Sequence, residues 1–140
     1  MTTNKQYPCG LITNVIIGAY YGTLNSLGSI RGTPPSAFRR KLAVALKKKA
    51  LRVEMDKLIE VRDGHQVIDI VKVEMVVERL VVVCVKNVRN LSTVQFAEGT
   101  YKMGAGGYPV GLMLNYGAED KLPLRLIPPR KYYQGPWKCS

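Results

Sequence analysis

The sequence predicts an α+β fold: a mainly antiparallel β-sheet of six to seven strands with one amphipathic basic helix near residues 35–49. Three observations predict it. Thr33 to Leu51, TPPSAFRRKLAVALKKKAL, has helical spacing and helix-forming composition. Two apolar-polar alternations flank Asp63-Gly64, the strongest hairpin signal in the chain. Leu80 to Val88 is nearly all valine, as suits a strand buried on both faces.

The helix comes first. Thr33 or Ser36 can cap its free amides, and Pro34 and Pro35 suit the fixed φ of a first turn. At about 100° per residue, Phe38, Leu42, Ala45 and Leu46 share one side. Arg40, Lys41, Lys47 and Lys48 fall roughly opposite, with Val44 among them. Lys49 returns to the apolar arc, so either the helix frays there or that lysine snorkels to solvent. Cations suit a helix C-terminus, which accounts for Lys47, Lys48 and Lys49. Arg39, Arg40 and Lys41 instead stand near the positive end of the dipole, at a cost of a few tenths of a kcal/mol each. No acid at i+4 offsets them. An anionic partner supplies the reason that a merely solvated face does not.

The remaining elements follow in order. Residues 1 to 9 are polar. Leu11 to Leu24, rich in Ile, Val and Tyr, reads as a strand with a bulge at Gly18 or Gly22. Leu51 to Arg62 alternates with period two, with an irregularity near Lys57 and Leu58. Its return strand spans Gln66 to Val77. The valine strand follows, then a turn over Asn87 to Asn90 and a short strand from Leu91 to Phe96. Ala97 to Gly107 reads as a glycine-rich connection. Tyr108 to Tyr116 and Leu122 to Ile127 form a last hairpin, whose second strand Pro123 confines to a sheet edge. The domain is placed at 1–127 and a basic aromatic tail at 128–140.

Charge is concentrated at the ends. The chain has 140 residues and a net charge of +11. Residues 1 to 53 hold nine Lys/Arg and no acid, whereas 54 to 98 hold eight acids and six bases. A field of this sign implies nucleic acid, anionic lipid or an acidic protein as partner. Cys9, Cys84 and Cys139 are widely spaced, and His65 is the only histidine. Neither a disulfide framework nor a Cys/His zinc site is expected, and a cytoplasmic, reducing compartment fits best. No transmembrane helix or signal peptide is read.

Tests for chemistry point away from catalysis. Met103 to Gly111, MGAGGYPVG, lacks the Gly-Lys-Ser/Thr of a phosphate-binding loop and the third glycine of a dinucleotide fingerprint. His65 reads as an exposed turn residue. Glu54, Asp56 and Glu60, with Arg52 and Arg62 beside them, read as a solvated, salt-bridged strand face. Tyr108-Pro109-Val110-Gly111-Leu112 has the form of the YP-x-x-L peptides by which enveloped-virus structural proteins recruit budding machinery.

The expectation is therefore a non-enzymatic basic structural protein that binds RNA or nucleoprotein, with no cofactor and no metal. Phosphates would be held by Arg39, Arg40, Lys41, Lys47, Lys48 and Lys49, helped by Arg130, Lys131, Tyr132, Tyr133 and Trp137 of the tail. The alternative is a viral matrix-type assembly protein. It would self-associate through sheet edges as a homo-oligomer and lay the helix on an anionic membrane, in a virion or membrane-peripheral setting.

Overall fold

A valine-rich strand buried on both faces needs packing on both sides, and the structure supplies it. In the computed structural model, residues 9–27 and 32–127 are described. They form α1 (Gly10–Ser26), α2 (Pro35–Lys48), β1 (Val53–Asp63), β2 (Gln66–Val77), β3 (Val81–Lys86), α3 (Thr93–Gly106), β4 (Val110–Asn115) and β5 (Leu124–Leu126). The strands make one sheet in the order β1-β2-β3-β4-β5. Neighbours are antiparallel except β3 and β4, which are parallel from Val81↔Val110 to Lys86↔Asn115. The fold is α+β, as expected. The expected six to seven antiparallel strands and single helix are corrected to five mixed strands and three helices among the described residues.

Several elements stand where the sequence placed them. α2 begins at Pro35 after an extended Pro34, and buries Phe38, Leu42, Ala43 and Leu46. Arg40, Lys41, Val44, Lys47 and Lys48 are exposed, and Lys49 lies just past the helix end. β1 and β2 pair across Gly64-His65, where Gly64 takes the positive φ of 61° that the tight turn requires. β3 has Val81 to Val85 buried. β5 is an edge strand that starts after Pro123.

Two expectations fail for identifiable reasons. Leu11 to Leu24 is helix α1, not a strand. Its buried residues Thr13, Ile16, Ala19, Tyr20 and Thr23 recur at three and four, the period of a helix. Ile, Val and Tyr favour strands only weakly, and packing overrides them. Tyr20 lies against Phe38 at a ring distance of 5.8 Å, and Phe38 stacks on Tyr116 at 4.4 Å, which fastens α1 and α2 to the end of β4. The Tyr116 hydroxyl donates to the Thr33 carbonyl.

Likewise, Leu91 to Phe96 and the following glycine-rich stretch are not strand and connection but the start and body of α3. Ser92 and Gln95 form a reciprocal capping box, with Gln95 N–H on Ser92 Oγ at 3.2 Å and Ser92 N–H on Gln95 Oε1 at 2.9 Å. Parallel strands need a crossover of about a dozen residues, and α3 is that crossover between β3 and β4.

Each sheet face has its own core. Met75, Val77, Val81, Val83 and Val85 pack with α1 and α2 residues such as Ile16, Tyr20, Phe38 and Leu42. Val73, Val76, Val82 and Cys84 pack with Met103 and Tyr108 at the α3 side. Cys9, at the start of α1, is disulfide-bonded, which the wide cysteine spacing did not foretell; Cys84 is free and buried. No helix among the described residues is long and apolar enough to cross a membrane.

Candidate active site at the β2–β3 fork

β2 has twelve residues and β3 six, yet they pair only at Val76↔Val82 and Val77↔Val81. Beyond Val76 the two strands part. Extending the same register would set Glu74 opposite Cys84 and Lys72 opposite Lys86. On the other side, Met55↔Met75 and Lys57↔Val73 bracket an unpaired position, where Asp56 stands opposite Glu74. Asp56 has φ of 52°, an unfavourable conformation for a residue with a side chain. Val73 packs on the α3 side and Met75 on the α1/α2 side, so β2 changes face at Glu74. Strain, a face change and an opened ladder thus coincide at one row: Asp56, Glu74, Cys84.

The fork gathers charge from three elements. Arg39 of α2 places its guanidinium 2.8 Å from Glu74, with the two side chains 16% and 28% exposed. Cys84 is 7% exposed. A methyl group built on Gly99 of α3 would lie 3.8 Å from its Sγ and 2.8 Å from Leu126, so the glycine lets α3 approach β3 closely. Burial pushes the Cys84 thiol up from its ordinary value; Lys102 and Lys86 pull it down, while Glu74 and Glu98 add to the rise. Lys86 ends β3, two residues beyond Cys84 and on the same strand face. Its carbonyl accepts from the Tyr116 N–H at 3.1 Å. Beside this end of the sheet lies a cavity of about 310 Å³, lined in part by Arg89, Asn90, Phe96, Asn115, Leu122 and Leu124.

The residues singled out in the sequence divide sharply. Arg39 enters the fork, held by the chain's own Glu74. Arg40, Lys41, Lys47 and Lys48 of α2 and Lys49 just past its end stay exposed, and the ion pairs among the described residues involve none of them. Arg130, Lys131, Tyr132, Tyr133 and Trp137 lie outside the described residues. Glu54 and Glu60 sit in ion pairs with Lys57, Arg79 and Arg62, as a salt-bridged face should. Tyr108, Pro109, Val110, Gly111 and Leu112 are all buried, so the YP-x-x-L peptide is core in the folded chain. The residues that sequence reading missed are Glu74, Cys84 and Lys86.

The family model of the PD-(D/E)XK nuclease superfamily matches residues 11–126. The chain belongs to this superfamily. Comparison with curated proteins and with solved structures gives no match. The match corrects the expected function: membership points to a nuclease, not to a non-enzymatic structural protein or a viral matrix-type protein.

The superfamily's name spells a pattern: Pro-Asp, then Asp or Glu, any residue, and Lys. This sequence contains no Pro-Asp, and its only literal acid-x-Lys is Glu119-Asp120-Lys121. That tripeptide lies in the loop between β4 and β5, where Asp120 caps its own turn through the Leu122 N–H and the Lys121 ammonium bonds Ala118. The place that fits the pattern by geometry is the fork, with Glu74 on one strand and Cys84-Val85-Lys86 on the next. There the lysine is kept and the acid is a cysteine.

Nucleases commonly act through divalent cations held by carboxylates and water. The residues here do not fit such an ion. Glu74 is already neutralised by Arg39, Asp56 lies 3.9 Å from the Lys72 ammonium, and the third position is a buried thiol. No group of three His, Cys, Asp or Glu suited to a metal occurs among the described residues.

Proposed function

We propose that this chain is a nuclease that takes a nucleic-acid backbone across the β2–β3 fork, with the exposed basic face of α2 as its docking surface. The register that sets Glu74 level with Cys84, two residues before Lys86, where the ladder opens, within a chain of this superfamily, carries the reading.

Chemistry at the fork rests on the chain's own groups. Lys86 lies at the mouth and takes charge that develops on the phosphoryl oxygens. Arg39 has five N–H donors, so it can hold Glu74 and still offer others to a phosphate. Glu74 orients the attacking water and receives its proton as the oxygen bonds to phosphorus and the bond to the leaving sugar oxygen breaks. Arg40, Lys41, Lys47, Lys48 and Lys49 contact flanking phosphates without reading sequence. RNA remains the favoured partner class from charge, and the tail Arg130, Lys131, Tyr132, Tyr133 and Trp137 is assigned to the same backbone. Arg89 and Phe96, at the adjoining cavity, are placed to meet the next nucleotide.

The test is incubation of the chain with labelled single- and double-stranded DNA and RNA, in EDTA and with a panel of divalent cations. Cleavage that Lys86→Gln abolishes supports the proposal. Cleavage of nothing under any condition, or activity indifferent to Lys86, refutes it.

A further inference from the structure

We infer that residue 84 withholds Mg²⁺ from this site: Cys84 stands where the superfamily pattern has a carboxylate, and Arg39 has taken over the charge of the carboxylate that remains. The inference rests on reading the fork as the nuclease site, and concerns the fork's cation preference.

Register puts Cys84 in the acid's place. The register of Val77↔Val81 and Val76↔Val82, extended past the point where pairing stops, sets residue 84 level with Glu74, whose charge acts on the Cys84 thiol, and Lys86 follows two residues later. A carboxylate at 84 would join Glu74 and Asp56 in one row across three strands, the oxygen-rich set that a hard cation requires. A thiol offers no oxygen, and soft sulfur donors do not suit Mg²⁺.

The cation that compensates is already built in. Two or three facing acids without a metal repel one another. Here Arg39 reaches from α2 to Glu74, and Lys72 approaches Asp56. Arg39 is no bystander on that helix: its side chain is 16% exposed, whereas Arg40 and Lys41 face solvent. A protein cation thus sits beside Glu74 where a metal-binding carboxylate would need to be free.

The geometry also makes the substitution readable. Cys84 and Asp are close in size, so Cys84→Asp adds a carboxylate without filling the space that Gly99 leaves. Magnesium chloride alone is the probe, without nucleic acid, by calorimetric titration and by thermal shift on wild type, Cys84→Asp and Cys84→Ser. The expected result is no saturable Mg²⁺ binding by wild type or Cys84→Ser, and binding at least about tenfold tighter by Cys84→Asp. Adding Arg39→Gln to Cys84→Asp tightens it further.

Saturable wild-type binding that Glu74→Gln removes overturns the inference, and this arm stands whether or not Cys84→Asp folds. Equal Mg²⁺ affinity in folded Cys84→Asp and Cys84→Ser also overturns it. Failure of the fork reading looks different, since Lys86→Gln would then leave nucleic-acid cleavage unchanged whatever the Mg²⁺ titrations show.

Discussion

Arg39 lies 2.8 Å from Glu74, joining the basic helix to the one point where β2 changes face and leaves β3. This pair ties the surface that the sequence emphasised to the candidate site at the fork. Breaking it leaves a partly buried carboxylate without its partner. Arg39→Gln should therefore destabilise the fold by about 1–3 kcal/mol in urea denaturation. Arg40→Gln, at an exposed position, should change stability by no more than about 0.5 kcal/mol.

Those two arginines should separate in binding as well. Arg40 and Lys41 are exposed and lie outside the ion pairs of the described residues, and the proposed docking gives them phosphates to engage. Arg40→Gln with Lys41→Gln should weaken nucleic-acid binding uniformly across sequences. It should also flatten the log–log salt dependence by about 1.4 to 1.8, two contacts' worth. Fluorescence anisotropy over a salt series reads this, and an unchanged slope places the contacts elsewhere.

The loop after β3 leaves no room at Gly117. A methyl group there would meet Asn87 Oδ1 and the Val88 nitrogen, both at 2.6 Å. Much of that obstacle is backbone, so Gly117→Ala must displace the segment that follows Lys86. A loss of about 1–3 kcal/mol is expected, together with slower cleavage.

Alkaline pH should bring out Cys84. Burial raises the thiol's pKa in the folded chain, so the unfolded chain loses its proton first. The contribution to stability is complete below about pH 8.5, the ordinary cysteine value, and is lost as pH rises toward the folded value. The groups facing it are Lys102, Lys86, Glu74 and Glu98. Cys84→Ser should show a shallower fall in thermal midpoint between neutral and alkaline pH, and the native thiol should alkylate slowly at neutral pH.

Much of the fold was legible from single segments. α2 carries its helix signals in fifteen residues, the β1–β2 hairpin has its turn residues, and β3 is a valine run. α1 was hidden because Ile, Val and Tyr mimic a strand and its helical period shows only in which residues are buried. Three glycines hid α3, although Ser92-x-x-Gln95 announced its start. Losing α3 removed the crossover, and without it β3 and β4 could not be read as parallel. The fork is a further step removed. It depends on register between strands and on a ladder that stops after two pairs, neither of which one strand's alternation encodes. On the proposed assignment, cysteine at 84 breaks the one local motif, while the acid-x-Lys match at 119–121 lies in a loop.

Phosphodiesters should be cut at the mouth of the fork, beside Lys86. Single-turnover cleavage of a labelled oligonucleotide by wild type and Lys86→Gln, under the conditions that give the highest wild-type rate, tests it most directly. The expected rate is lower by about 10²-fold or more in the variant, with its thermal midpoint unchanged. Equal rates in the two proteins, or no cleavage by the wild-type chain, would contradict it.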